Sequence, residues 1–415
     1  MIESFEIPSF TSAQLGDLHY RLDNGVYPNE LTTEVGNGWE YGTPRKALEP
    51  VVQEWRHHYD WEKARSEMNQ WKHYKLTTTQ GLKLHFIHEP SNNPNAIPLM
   101  LLHGWPSTFY EFHKVINPLR DGQHGQAFHV VVPSLPGYGF SDPPTAPGFG
   151  IAKMGEILNE LMLSLGYSKY MTHGTDWGST ISHEMVTRYE NHCSAAHFTM
   201  FLCAPPLPTL TNLWKHPMKV AKFLLGATVL GFDRVYGPGQ FTMKGKNFAD
   251  VMNDSEAGYR AIQGTRPYTL AYGLADSPIG LLGWILEKYH TYTWHQDKTQ
   301  SLTLPSTLPA NEVLTQASIY WLTNTMSSSM RLYYETLNQI KHEGLEMFGY
   351  VKNPIGISAF QGEVLRVPSE WMEVAGNLKF LNEHPLGGHF AAMEEPELLV
   401  ADIQTFGKKV SNVFQ

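Results

Sequence analysis

The sequence predicts an α/β fold: a mostly parallel, doubly wound sheet with an inserted helical lid and a helical N-terminal arm. Three observations predict it. Short apolar runs, each closed by Gly or Pro, suit parallel strands buried on both faces: "IPLMLLHG", "FHVVVPSLPG" and "YMTHG". Helical patterns fall between them, in "STFYEFHKVINPL", "AKMGEILNELMLSLG" and "STISHEMVTRYENH". The alternation stops after "HFTMFL" and returns with "IGISAF" and "LKFL".

Residues 1–75 read as the helical arm. Ser12 is expected to cap a helix carrying Leu15, Leu18 and Leu22, and Thr43-Pro44 to open another carrying Leu48, Val51, Val52 and Trp55. Tryptophans at 39, 55, 61 and 71 mark a segment that packs against something large. That partner could be its own core or a second subunit in a homodimer. The first part of the core is expected over 76–204, opening with the strand "KLHFIHE". Residues 205–335, rich in Pro, Gly and aromatics, form the lid, with helices such as "SPIGLLGWILEKYH". Residues 336–415 complete the core and end in the helix "PELLVADIQTFGKKV".

Composition narrows the function. The chain has 415 residues, 42% hydrophobic and 17% charged, which is the balance of a globular protein. Net charge is -9, with no block of like charges to meet nucleic acid or a membrane surface. Cys193 and Cys203 are the only cysteines, too few for a disulfide framework or a cysteine zinc site. There is no H-E-x-x-H, and "GYGFSD" fails the G-x-G-x-x-G pattern at its last position. "MIESFEIPSF" lacks the basic start of a signal peptide, and "VAKFLLGATVLGF" is shorter than the ~20 residues of a membrane span. A soluble cytoplasmic protein with no membrane anchor and no metal or organic cofactor is expected.

"MTHGTDWGST" carries the chemistry. Gly174-Thr175-Asp176-Trp177-Gly178 is a G-x-[nucleophile]-x-G elbow at a strand-to-helix junction. A serine there would need a base to remove its proton. An aspartate, with a reference pKa of ~3.9, is already ionised and can attack an sp³ carbon directly. Such a turn needs amides to receive charge from the attacked carbonyl. The N–H groups of Trp105, in "HGWP", and of Trp177 are the candidates for this oxyanion hole. Pro106 fixes the turn, and Trp105, Pro106 and Trp177 are expected to line the substrate pocket. Glu363, in "FQGEVL", and His389, in "GGHFAA", follow later strands. Nucleophile, acid, histidine is the chain order of a triad in which His389 activates water and Glu363 orients it.

The elbow, "HGWP", "PGYGFSDPP", "GTRPYTLAYGLADSPIGLLGWILEKY" and "GGHFAAMEEPELL" together resemble the microsomal-type epoxide hydrolases of the α/β-hydrolase fold. The resemblance spans nearly the whole chain. It implies Asp176 as nucleophile, His389 as base and Glu363 as its partner, with Tyr259 and Tyr333 from the lid hydrogen-bonding an epoxide oxygen. Phenols with a reference pKa of ~10 are protonated at neutral pH and suit that task. Tyr334 is a rival by pattern. Two neighbours on a helix point about 100° apart, so only one of them faces the site, and the family spacing favours Tyr333. Two departures stand out: many relatives carry an N-terminal membrane anchor, and glycine is usual in place of Thr175. The implied partners are water and a small, bulky, apolar epoxide, the last because the lid is rich in Trp, Tyr, Leu and Met. Two other readings remain at this point: a haloalkane dehalogenase with the same nucleophile, and a non-catalytic binder of a hydrophobic ligand.

Overall fold

A computed structural model describes residues 1–33, 38–122, 125–237, 240, 256–297, 302–344 and 348–414. Nine strands form one sheet: β1 (Ile2–Phe5), β2 (His73–Thr77), β3 (Lys83–Glu89), β4 (Ile97–Leu102), β5 (Phe128–Pro133), β6 (Tyr170–Gly174), β7 (Cys193–Phe198), β8 (Val351–Gly362) and β9 (Gly376–Gly388). Their order is β1-β2-β3-β5-β4-β6-β7-β8-β9. The first three strands and β5 pair antiparallel. From β5 to β9 every pair is parallel. Every residue of β6 and β7 is buried. Helices cover both faces, which is why these strands read as continuous apolar runs.

The parallel strands and the helices between them fall where the apolar runs predict. The helix Ile151–Ser164 fills the second crossover and Asp176–Arg188 the third. Three details differ. "STFYEFHKVINPL" is not one helix but a short turn, Phe109–Phe112, then a helix, Ile116–Asp121. Pro118 forbids the longer helix, because its ring would clash with the carbonyl four residues back. The last strand before the lid is Cys193–Phe198, so most of "HFTMFL" lies beyond it. The helix Ser12–Asp23 is capped by Thr11, not Ser12: Thr11 accepts from the Gln14 amide, and Gln14 reaches back to the Thr11 amide.

The arm is also not purely helical. Its first residues form β1, which pairs with β2 in register Ile2↔Leu76 and extends the sheet at its antiparallel edge. Alternation in so short an edge strand is a weak signal. The arm's tryptophans then tie it to both halves of the molecule. Trp71 Nε1 donates to Asn117 Oδ1 at 3.0 Å, on the core. Trp55 Nε1 donates to Ser318 Oγ at 3.0 Å, on the helix Ala310–Thr323 of the lid. Trp39 stacks on His290 of the lid helix Pro278–Tyr292, with ring centroids 3.8 Å apart. That helix starts as its Ser-Pro pair requires, with Ser277 accepting from the Gly280 amide.

Among the described residues no single helix is long and apolar enough to cross a membrane. Trp55 is buried and joins arm to lid, so its loss leaves a cavity and breaks that hydrogen bond. Trp55→Ala is expected to cost about 3–5 kcal/mol in denaturant unfolding.

Candidate active site

The parallel sheet places the site. Trp105, Asp176, Glu363 and His389 follow β4, β6, β8 and β9, so all four lie at the carboxyl ends of parallel strands. A doubly wound sheet opens its crevice at that edge. Asp176 begins the helix Asp176–Arg188 at once after β6, with only Thr175 between. Its φ is +44°, a region that costs a residue with a side chain of order 1–3 kcal/mol. The turn is this tight because the helix lies against the neighbouring strand. A Cβ on Gly178 would stand 1.9 Å from the Leu102 carbonyl oxygen. A Cβ on Gly104 would stand 2.0 Å from Asp176 Oδ1 itself. Both glycines are therefore set by close approach.

Each oxygen of Asp176 has its own partner. The Trp105 amide donates to Oδ1 at 2.8 Å. His389 Nε2 faces Oδ2 at 3.3 Å. His389 Nδ1 meets Glu363 Oε1 at 2.5 Å, and the Val364 amide donates to the same oxygen at 2.6 Å. Asp176, His389 and Glu363 thus form one line of contacts. The Trp177 amide follows Asp176 in the chain but makes no hydrogen bond to its carboxylate among the described residues. Pro106 is buried beside Trp105 and joined to it by a cis peptide bond.

His389 is 3% exposed. Burial works against its charged form, but the Glu363 and Asp176 carboxylates outweigh burial and hold it well above the ordinary imidazole range.

The lid brings both tyrosines to this point. Tyr259, on the helix Ala257–Thr265, stacks on Trp105 with centroids 5.5 Å apart and planes 15° apart. Tyr333, on the helix Met326–Glu343, stands edge-on to Trp177 at 4.7 Å. The two phenol rings are 5.9 Å apart. Burial, and then the Asp176 charge, push Tyr259 up to about 12. Burial, with Tyr259 and Asp176, pushes Tyr333 well above its usual value. Both phenols therefore stay protonated beside the carboxylate. Tyr333 is 5% exposed and Tyr334 40%, so the helix turns the second tyrosine to the surface.

Three further groups surround the site that sequence reasoning missed. The Tyr292 carbonyl accepts from the His389 amide at 2.9 Å, and the Tyr292 ring lies 5.7 Å from the imidazole and 6.3 Å from Tyr259. Glu394 accepts from the amides of Trp294 at 2.8 Å and Phe390 at 3.0 Å, and burial pushes its carboxyl up to about 7. Glu111 is buried against the Thr175 and Ser107 hydroxyls, and burial again pushes it up to about 7. Glu394 stands within "GGHFAAMEEPELL", where its closeness to His389 was a usable signal. Tyr292 reaches the site only through the packing of the lid, whereas Glu111 stands on the turn Phe109–Phe112, six residues beyond Trp105. Among the described residues no group of three His, Cys, Asp or Glu could hold a metal ion.

A sheet of this order, a strained strand-to-helix elbow after β6 and helices inserted after the strand following it define an α/β-hydrolase. Residues 97–253 match the family described as alpha/beta hydrolase fold, and residues 2–112 match the one described as epoxide hydrolase N terminus. Epoxide hydrolase 1 of Oryctolagus cuniculus is 35% identical over 423 residues, spanning 98% of this chain and 88% of that one. Juvenile hormone epoxide hydrolase 1 of Ctenocephalides felis is 33% identical, spanning 100% of this chain and 87% of that one. Among solved structures, juvenile hormone epoxide hydrolase from the silkworm Bombyx mori superposes with a TM-score of 0.79 at 28% identity, covering 100% of this chain and 95% of that one. The Aspergillus niger epoxide hydrolase gives 0.78 at 28%, covering 99% and 97%. The chain belongs to the epoxide hydrolase family, and it is an epoxide hydrolase.

The charge on His389 can be tested directly. In an NMR titration, Glu363→Gln is expected to lower the His389 pKa, because it removes the first of the two carboxylates that raise it. The sign for stability follows. In the native enzyme the pairing contributes fully below the ordinary ~6.5 and is lost as pH rises through the raised value, so the variant loses it at lower pH.

Proposed function

We propose that the enzyme opens a bulky, apolar epoxide through a covalent ester on Asp176. The observation that carries this reading is the meeting of the Trp105 amide and the His389 ring on one carboxylate, with the Tyr259 and Tyr333 rings packed on Trp105 and Trp177 beside it. In the first step an oxygen of Asp176 attacks an epoxide carbon from behind. The C–O bond breaks, and the oxygen takes a proton from Tyr259 or Tyr333. The phenols matter because an alkoxide is a poor leaving group unless charge on it is met as it forms.

The second step belongs to His389. Ester formation cancels the Asp176 charge and so removes one of the two carboxylates that raise the imidazole, whose proton passes to the tyrosinate left by the first step. His389 then takes a proton from water, Glu363 supports the resulting imidazolium, and the hydroxide attacks the ester carbonyl carbon. Negative charge on the carbonyl oxygen falls to the Trp105 amide, joined by that of Trp177. One such donor is worth ~3 kcal/mol. The products are the vicinal diol and free Asp176. An apolar substrate is supported by the tyrosine and tryptophan rings around the nucleophile. Halide departure would need N–H donors where the lid supplies phenols, so no chloride or bromide release from haloalkanes is expected.

Two experiments test the scheme. In a single turnover in heavy-oxygen water, the label is expected in the carboxylate of Asp176 and not in the diol. Label in the diol would mean that water opens the ring directly. Tyr259→Phe and Tyr333→Phe are each expected to slow ring opening by about a hundredfold, and the double variant to abolish it with the fold intact. Substantial diol formation by the double variant would remove the phenols from the mechanism.

A further inference from the structure

Lys288 lies on the lid helix Pro278–Tyr292 and is only 2% exposed. A lysine is almost never so buried unless it is paired. Its ammonium meets Glu256 Oε2 at 2.8 Å and the carboxylate of Glu287. Those pairs explain how the charge is tolerated there. They do not explain why it is placed there, since both carboxylates are themselves partly exposed and could be met from the surface.

What the burial achieves is contact with aromatic rings of the site. Lys288 Nζ lies 4.5 Å from the centre of the Tyr259 ring and 5.5 Å from that of Tyr292. The Arg260 guanidinium is more distant from Tyr259, at 5.7 Å. The same Tyr259 ring stacks on Trp105, whose amide holds Asp176. We propose that Lys288 is a positioning residue for ring opening, whose ammonium holds the Tyr259 ring and strengthens that phenol as a donor to the epoxide oxygen. This rests on the part assigned to Tyr259 above.

The physical argument is one of difference. A cation is attracted to the electron-rich face of an aromatic ring, more so where water is excluded. As the epoxide C–O bond breaks, the Tyr259 O–H bond gives its proton to the departing oxygen, and the electron pair left behind enriches the ring. The attraction to Lys288 grows at that moment, so it stabilises the transition state more than the resting enzyme. Glu256 and Glu287 screen part of this field, and by pairing with the ammonium they let it be buried. The contact is also mechanical. Glu256 directly precedes the helix that carries Tyr259, and Tyr292, one turn beyond Lys288, receives the His389 amide. Lys288 therefore fixes the phenol relative to the base.

The test uses the full-length enzyme and styrene oxide, with ring opening and ester hydrolysis resolved in single-turnover kinetics. Lys288→Met is expected to slow ring opening about ten- to thirtyfold, and ester hydrolysis by less than about twofold. In a Tyr259→Phe background the same change is expected to cost less than about twofold more. Lys288→Arg, which returns a cation to the ring, is expected to recover most of the rate. If the Met variant does not fold, Lys288→Gln gives the same comparison, keeping a donor for Glu256 without the charge. Unchanged ring opening, equal slowing of both steps, or an undiminished loss without the phenol would each overturn the proposal. Tyr259→Phe alone leaving ring opening unchanged would instead remove the phenol from the mechanism, and that outcome is separate from any result at Lys288.

Discussion

The site depends on a single backbone constraint: the bend that holds Asp176 at positive φ between β6 and its helix. The bend is unfavourable for a residue with a side chain, and it persists because the structure around it leaves no alternative. The helix is pressed onto β4 so closely that Gly178 has no room for a Cβ. The contact that imposes the bend also brings the end of β4, and with it the Trp105 amide, to Oδ1. The other carboxylate oxygen is left for His389. The strained backbone and the amide on Oδ1 are thus consequences of how tightly one helix lies on one strand. The core beneath it, with β6 and β7 fully buried, holds that packing in place.

Charge is arranged around that carboxylate with some economy. His389 lies between two carboxylates and is held toward its charged form, while the phenols opposite are held toward their neutral forms by burial and by the same Asp176 charge. One negative group therefore favours the protonated form on both sides, together with Glu363 at the imidazole and burial at the phenols. Any event that neutralises it weakens both effects together.

The parallel half of the sheet was legible in the sequence, because strands buried on both faces leave unbroken apolar runs between helical patterns. The elbow and the late histidine were legible because glycine spacing and chain order are local facts. The edge strand β1 was not: four residues at a sheet margin carry too little alternation to separate from a helical arm. The break in "STFYEFHKVINPL" was signalled by Pro118, which outweighs the apolar periodicity around it. The choice between Tyr333 and Tyr334 needed the lid in place, since pattern gives the angle between two neighbours and not the direction of the core. Tyr292 and Lys288 came from lid packing, where residues far apart in the chain meet. Only the resemblance to a known family placed Tyr259 and Tyr333 beforehand.

Glu394 joins two things that would otherwise be independent. Its carboxylate grips one amide on the chain leaving the long lid helix, at Trp294, and another on the loop just after the imidazole, at Phe390. The end of the lid helix and the loop of the imidazole therefore hang from one latch. Whatever moves the lid helix at that corner also disturbs the backbone that carries His389.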